Sequence, residues 1–375
     1  MKKASLFISI IIFIISCFIA YDVINRKEEI HFIPTIKEID DGVKSIKFKV
    51  GTFYLAIGES EKLNYDIESS KDDYKLTWSS ENEDIVSISD GKIVGVNLGT
   101  SVVTLKSESG KKAEVSVTVT DLIRKPELDD KKKFLPCHAY TEEEAHIIDE
   151  ALRTRVLNKG EGTRAALIET IRFMTLSFKY KVSYFYENGR MHESGVRKAD
   201  GEGRYYHKGL YLSEDKFKDI KVSHKGPAIW GCPLTNLQDH NRYKPGAKMP
   251  NGLDCSGFVT WSLYNSGLDV GDIGAGINDR HKDMSDVGEM HSLTYEYANS
   301  GDYKVGDVIA RWGHTALIAG KDSEYLYIAE SLLKGVRIEK VSYKNPNSSL
   351  YKYYAYINKM DKEYSKNDDY TDMWE

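Results

Sequence analysis

The chain has 375 residues, a formal net charge of −5 and 41% hydrophobic residues. That is enough apolar material for more than one core, and the near-neutral, dispersed charge leaves no basic stripe with which to expect a nucleic-acid partner. No Cys-x-x-Cys, His-Glu-x-x-His or calcium-loop pattern occurs in the sequence, so no metal and no other cofactor is expected.

Met1-Lys-Lys3 precedes an uncharged apolar run from Ala4 to Tyr21, long enough for a marginal membrane span with its basic residues on the inner side. Residues 1–25 therefore read as a signal anchor or signal peptide, and the remainder as exported to the cell surface or wall, tethered to the outer face of the cytoplasmic membrane. No Ala-x-Ala follows, and Ile14-Ile-Ser-Cys17 loosely resembles a lipoprotein box although apolar residues continue past Cys17. A retained anchor, a lipidated terminus and a cleaved leader all stay open. Residues 26–42 read as a linker.

From residue 43 to 120 the chain reads as short strands: Trp78-Ser-Ser80, Ile85-Val-Ser-Ile88, Lys92-Ile-Val-Gly-Val96, Val102-Val-Thr-Leu105 and Val115-Ser-Val-Thr-Val119, with a turn at Asp90-Gly91. Such spacing predicts an all-β sandwich, and the alternation of Val115, Val117 and Val119 with polar residues puts one face inside and the other in water. Residues 121–136 carry the charge run Asp129-Asp-Lys-Lys-Lys133 and read as a solvated connector. Thr141-Glu-Glu-Glu144 is a capping box opening a helix with Ala145, Ile148, Ala151 and Leu152 on one face. A break at Lys159-Gly160 separates it from a second, apolar helix over about Thr163 to Lys179. The Tyr- and Gly-rich stretch from Tyr180 to His240 is expected to form much of a substrate cleft. Cys137 and Cys232 form either one disulfide or two buried thiols.

The chemistry concentrates further on. Asp254 is a good N-cap, so Cys255 opens an amphipathic helix at its positive, accessible end, where a thiolate is stabilised and becomes nucleophilic. In Val305 to Gly320, two short strands meet at Trp312-Gly313, and His314 opens the second at a sheet edge, where it suits a general base. The next strand, Glu324 to Ser331, carries Glu330 on an otherwise apolar segment, and a buried carboxylate needs a partner. The ring N–H of His314 on the side away from Cys255 supplies one. Residues 359–375 form an acidic, polar tail expected to be disordered.

Asp254-Cys255-Ser256-Gly257-Phe258-Val259, the Gly306-Asp307-Val308 strand leading to His314, and Gly226-Pro-Ala-Ile-Trp-Gly231 together resemble the NlpC-type cell-wall cysteine peptidases. That resemblance covers roughly Gly226 to Asn358. It implies a papain-like α+β fold over residues 137–358, with Cys255 as nucleophile, His314 as base and Glu330 orienting His314. The third position is commonly His, Asn or Gln in that family, and Glu330 departs from this. A tyrosine upstream of the cysteine can assist the oxyanion hole in the family, with Tyr205 and Tyr206 as nearest candidates. The implied substrate is a peptidoglycan stem peptide. N-acetylmuramoyl-L-alanine amidase or related acyl-transfer chemistry is the alternative enzyme reading, and a non-catalytic adhesin or wall-binding protein the other. Residues 43–120 are similar to bacterial immunoglobulin-like group 2 domains, which implies a spacer or a module for a wall or surface ligand.

Overall fold

The computed structural model describes residues 40–128, 131–185, 222–223, 231–236, 244, 246–249, 251–268, 270, 274–276 and 287–365. The apolar N-terminal run, most of the expected cleft segment, Gly226 to Trp230, Tyr205, Tyr206 and the tail beyond residue 365 lie outside the described residues. Among the described residues no helix is long and apolar enough to cross a membrane.

The N-terminal unit consists of β1 (Val43–Phe48), β2 (Thr52–Leu55), β3 (Ser60–Glu61), β4 (Tyr65–Ser69), β5 (Leu76–Ser80), β6 (Val86–Ser89), β7 (Lys92–Gly95), β8 (Gly99–Ser107) and β9 (Lys112–Val119). These form sheets ordered β1-β4, β2-β9-β8-β5 and β3-β7-β6. The expected strands fall here, including the turn between β6 and β7, where Asp90 and Gly91 both take positive φ. Val103, Leu105, Val115, Val117 and Val119 point inward with Phe53 and Leu55, as period-two alternation requires.

The second unit opens with α1 (Glu142–Lys159), whose N-cap Thr141 makes the full capping box with Glu144. Gly160 ends it at a φ of 95°, a left-handed conformation suited to glycine. Then α2 (Arg164–Arg172), capped by Thr163, runs into a π-turn over Phe173–Ser177. A small sheet joins β10 (Val222–Ser223), β11 (Leu234–Asn236) and β12 (Lys248–Met249). Among the described residues, the buried α3 (Cys255–Asn265) and the shorter α4 (Tyr295–Ser300) and α5 (Ser349–Tyr353) complete the helices. The main sheet contains β13 (Glu289–Ser292), β14 (Val308–Arg311), β15 (His314–Lys321), β16 (Tyr325–Leu332), β17 (Gly335–Ser342) and β18 (Tyr356–Lys359). It is antiparallel throughout, in the order β13-β18-β14-β15-β16-β17. The described residues are thus mostly β, in several sheets, with their helices confined to the second unit.

Three expectations give way. The connector over 121–136 is not simply solvated: Ile123 is buried and bridges Phe178, and the Lys132 ammonium is buried, donating to the carbonyls of Thr175 and Phe178 at 2.7 and 2.9 Å. Those carbonyls lie where the π-turn leaves helical oxygens without ordinary partners, so a cation there satisfies them. The tail is not disordered from residue 359 either. Asp361 accepts from Arg164 at 2.9 Å, and the buried Tyr364 donates to the Gly306 carbonyl at 2.6 Å. Finally, α3 is not amphipathic, because every residue from Cys255 to Leu263 is buried between the other helices and the sheet.

The two units are fastened together rather than strung apart. The Arg155 guanidinium of α1 is fully buried and makes two 2.8 Å bonds to Glu59 of the N-terminal unit, one of 2.9 Å to the Tyr54 carbonyl and one of 3.3 Å to Glu169 of α2. Asn64 donates twice to Asn158, its backbone N–H to Oδ1 at 2.8 Å and its side-chain amide to the carbonyl at 2.7 Å, and Lys159 reaches Glu61 at 2.6 Å. Apolar residues cross the seam in both directions: Ala56 lies in the core of the second unit, and Leu157 packs on the core of the first. Burial works against ionisation of Glu169, but the Arg155 charge wins and holds its carboxyl below the usual range. That contribution is present above the ordinary carboxylate pKa and disappears as pH falls through the lower folded value. Removing one partner of a buried ion pair strands its mate and costs about 3–5 kcal/mol. Arg155→Met is therefore expected to lose about that much stability in denaturant unfolding, and calorimetry should then resolve the N-terminal unit as a separate transition. Wild-type-like melting of this variant would show the seam to be dispensable.

Candidate active site

Chain connectivity places the candidate nucleophile. Ser331 Oγ donates to the Leu253 carbonyl at 2.7 Å, and Leu253 N–H donates to the Ser183 carbonyl at 3.0 Å, so the residues just ahead of α3 are held to the end of β16. Gly252 has no room for a Cβ, which would fall on the Ser183 carbonyl. Asp254 then caps the helix, accepting from the Gly257 N–H at 2.6 Å and from Ser256 Oγ at 3.2 Å. Cys255 occupies the first turn, where the helix dipole favours a thiolate. It was expected to be accessible, yet only 6% of it is exposed, because the helix start is packed into the body of the unit. Cys255 takes no part in the disulfide, which joins Cys137 to Cys232 and settles the alternative left by the sequence. The grouping of Cys137, His138 and Cys232 has metal-type donors, but both sulfurs are committed to that bond.

His314 begins β15, which lies between β14 and β16, so its ring sits at the end of an inner strand and not at a sheet edge. The residue is 3% exposed. Continuing the Leu317–Ala329 register by one residue puts Glu330 opposite Ala316, with His314 as its diagonal neighbour on the same face. The side chains meet there: His314 Nε2 lies 2.9 Å from Glu330 Oε2. Because Glu330 takes Nε2, Nδ1 is the ring nitrogen left for a thiol. Helix α3 packs directly on β15 and β16, bringing the Cys255, His314 and Glu330 elements into one region of the core.

Glu330 is 1% exposed and has two further donors that the sequence reading missed. Arg337 donates to Oε1 through Nε at 3.0 Å and Nη2 at 2.6 Å, and the buried Tyr354 hydroxyl donates to Oε2 at 2.8 Å. Burial pushes the carboxyl up, but hydrogen bonds from His314, Arg337 and Tyr354 outweigh it and hold the pKa below the ordinary value. Burial and the neighbouring Glu330 charge push the Tyr354 phenol up, so it remains a proton donor. The signal for Arg337 was present in the hairpin: a turn at Leu333-Lys334 pairs Leu332 with Gly335 and thereby sets Glu330 opposite Arg337. Tyr354 had no comparable signal, since it arrives from α5, far along the chain.

Asp307 has a different role. Its carboxylate accepts from Arg164 at 2.9 Å and from the Met360 and Lys304 N–H groups at 3.0 and 2.8 Å, joining α2 to the sheet beneath β14. Its place in the Gly306-Asp307-Val308 motif is structural. Tyr353 lines the His314 side, with ring centroids 5.3 Å apart.

The sequence matches no family model and no curated protein. Among solved structures, the S-layer protein SbsC domains 4 and 5 align at 20% identity and a TM-score of 0.19, over 21% of this chain and 52% of that one. A structure of surface layer protein SbsC domains 4–9 aligns at 18% identity and a TM-score of 0.19, over 27% and 18%. An intimin mutant of EHEC O157:H7 aligns at 14% identity and a TM-score of 0.18, over 30% and 64%. The chain therefore spans less than two thirds of each of these structures.

The depressed Glu330 pKa gives stability that is full above the ordinary carboxylate pKa and lost as pH falls through the lower folded value. Arg337→Met removes a charged donor, so acid unfolding followed by circular dichroism is expected to begin at higher pH. Glu330→Gln removes the ionisable group, and substituting Arg337 on that background should move the acid midpoint less, what remains coming from the 2.6 Å pair of Arg337 with Glu339. An Arg337→Met midpoint equal to wild type would detach Arg337 from this carboxylate.

Proposed function

We propose that this chain is an exported, NlpC-type cysteine hydrolase with a papain-like catalytic unit, cleaving an amide bond in peptidoglycan stem peptides. The observation that supports it most is the His314–Glu330 pair, 2.9 Å apart on two adjacent strands against which the helix opened by Cys255 is packed. A thiol at a helix start, a histidine with one nitrogen occupied by a carboxylate and the other left over, and a shared core are the parts acyl transfer needs.

In this reading His314 Nδ1 takes the thiol proton and the Cys255 sulfur attacks the amide carbonyl carbon. Negative charge then develops on the carbonyl oxygen, and the Cys255 backbone N–H at the helix start is the first donor to it. The imidazolium returns its proton to the leaving amine as the tetrahedral species collapses to a thioester. Water, deprotonated by the same imidazole, hydrolyses the thioester and releases the acid. Glu330 keeps the imidazole in the tautomer that leaves Nδ1 able to accept. Since Arg337 already shares the Glu330 charge, the carboxylate orients His314 more than it stabilises the imidazolium.

Purified peptidoglycan digested with the enzyme, followed by mass analysis of the products, separates stem-peptide cleavage from release of whole peptides at the lactyl amide. Cys255→Ala is expected to abolish turnover and His314→Ala to come close to that. Glu330→Ala should lose about 10²- to 10⁴-fold, and Glu330→Gln less, because the amide keeps an acceptor for Nε2. A thiol alkylator should inhibit and a chelator should not. Undiminished turnover by Cys255→Ala would overturn the thiol mechanism.

A further inference from the structure

Arg311 closes β14 and lies three residues before His314, with which it pairs across the β14–β15 turn. Its guanidinium carbon sits 4.1 Å from the centroid of the Tyr353 ring, and that ring packs 5.3 Å from the His314 ring. The arrangement is fixed from both sides. Tyr353 ends α5 and is followed by Tyr354, which is bonded to Glu330. The turn itself is pinned where Gly313 N–H donates to the Ala275 carbonyl at 2.9 Å, and Gly313 takes a positive φ of 75° that allows so tight a return.

Arg311 differs from Arg155, Arg164 and Arg337, the arginines that tie elements of this unit together. Arg155, Arg164 and Arg337 each meet a carboxylate within 3.0 Å, whereas among the described residues none pairs with Arg311, and the side chain is exposed beside the 70% exposed Trp312. An exposed guanidinium held against the Tyr353 ring, and paired with no carboxylate among the described residues, keeps N–H donors available to a ligand. The guanidinium fork matches a planar carboxylate, and it costs little further ordering to bind one. Burial and the Glu330 charge raise the Tyr353 phenol pKa, while Arg311 opposes them through its charge and a hydrogen bond.

We infer that Arg311 is a specificity-determining residue that binds a free carboxylate of the substrate next to the amide under attack, so that the preferred substrates are acidic peptides. This rests on the cysteine-hydrolase reading and names the substrate feature it selects.

Two peptides serve as probes, identical apart from one carboxylate adjacent to the scissile amide, free in one and converted to the carboxamide in the other. Their affinities for the full chain carrying Cys255→Ala are measured by calorimetry, with and without Arg311→Ala and Arg311→Lys. The free acid is expected to bind about 10- to 100-fold more tightly than the carboxamide. The preference should shrink to within about twofold in Arg311→Ala and survive in part in Arg311→Lys, whose point charge lacks the fork. With Cys255 intact, kcat/KM should show the same preference and the same loss. Equal binding of the two peptides, or a preference that persists in Arg311→Ala, overturns the assignment. Selective binding that depends on Arg311 but comes with no cleavage of either peptide supports the carboxylate site and counts against the hydrolase reading instead.

Discussion

A single buried carboxylate organises the second unit. Glu330 gathers donors from three directions, His314 on the next strand, Arg337 across the hairpin and Tyr354 from the last helix, and each bond fixes an element as well as a charge. An ionised carboxylate with 1% exposure is tolerable only while those donors stay in place, so losing any one weakens the positions of the others. The neighbouring Ser331 extends the same grip to the loop ahead of Cys255. Fold stability and preparation of the site are therefore one requirement, imposed at one residue.

The same device recurs with the signs exchanged. At the seam between the units, Arg155 is a buried cation shared by Glu59 and Glu169; beneath the sheet, Arg164 joins Asp307 and Asp361 and stacks on Tyr364 at 4.3 Å. Buried ion networks add little to net stability compared with well-packed apolar groups, but they tolerate few alternative arrangements. Here each links segments far apart in sequence. The N-terminal unit is consequently positioned on α1 and α2, the helices that also carry the core behind α3.

The parts legible in the sequence were those with local signatures. Short strand runs at regular turn spacing located β5 to β9, the Thr141 capping box and Gly160 marked both ends of α1, and Asp254 announced the start of α3. His314 and Glu330 were legible as a pair because a carboxylate on an otherwise apolar strand needs a donor, and the preceding strand opens with a histidine. What escaped depends on contacts between distant segments. A charge run looks solvated until Lys132 meets the open carbonyls of a π-turn, and α3 looks amphipathic because its Ser and Thr residues read as a wet face. In fact Ser262 and Ser266 return their hydroxyls to helix carbonyls at 2.8 and 2.7 Å, and so can be buried.

The Cys137–Cys232 bond has a consequence for how the chain behaves when it is cut. The two cysteines are 95 positions apart, and both helices of the seam lie between them. A protease that opens one peptide bond anywhere inside that stretch leaves two fragments still joined through sulfur. Such a nicked molecule migrates as one species without reductant and as two with it. In an oxidising environment, then, a single clip between Arg155 and Cys232 does not release the piece that carries the thiol from the piece that carries Arg155.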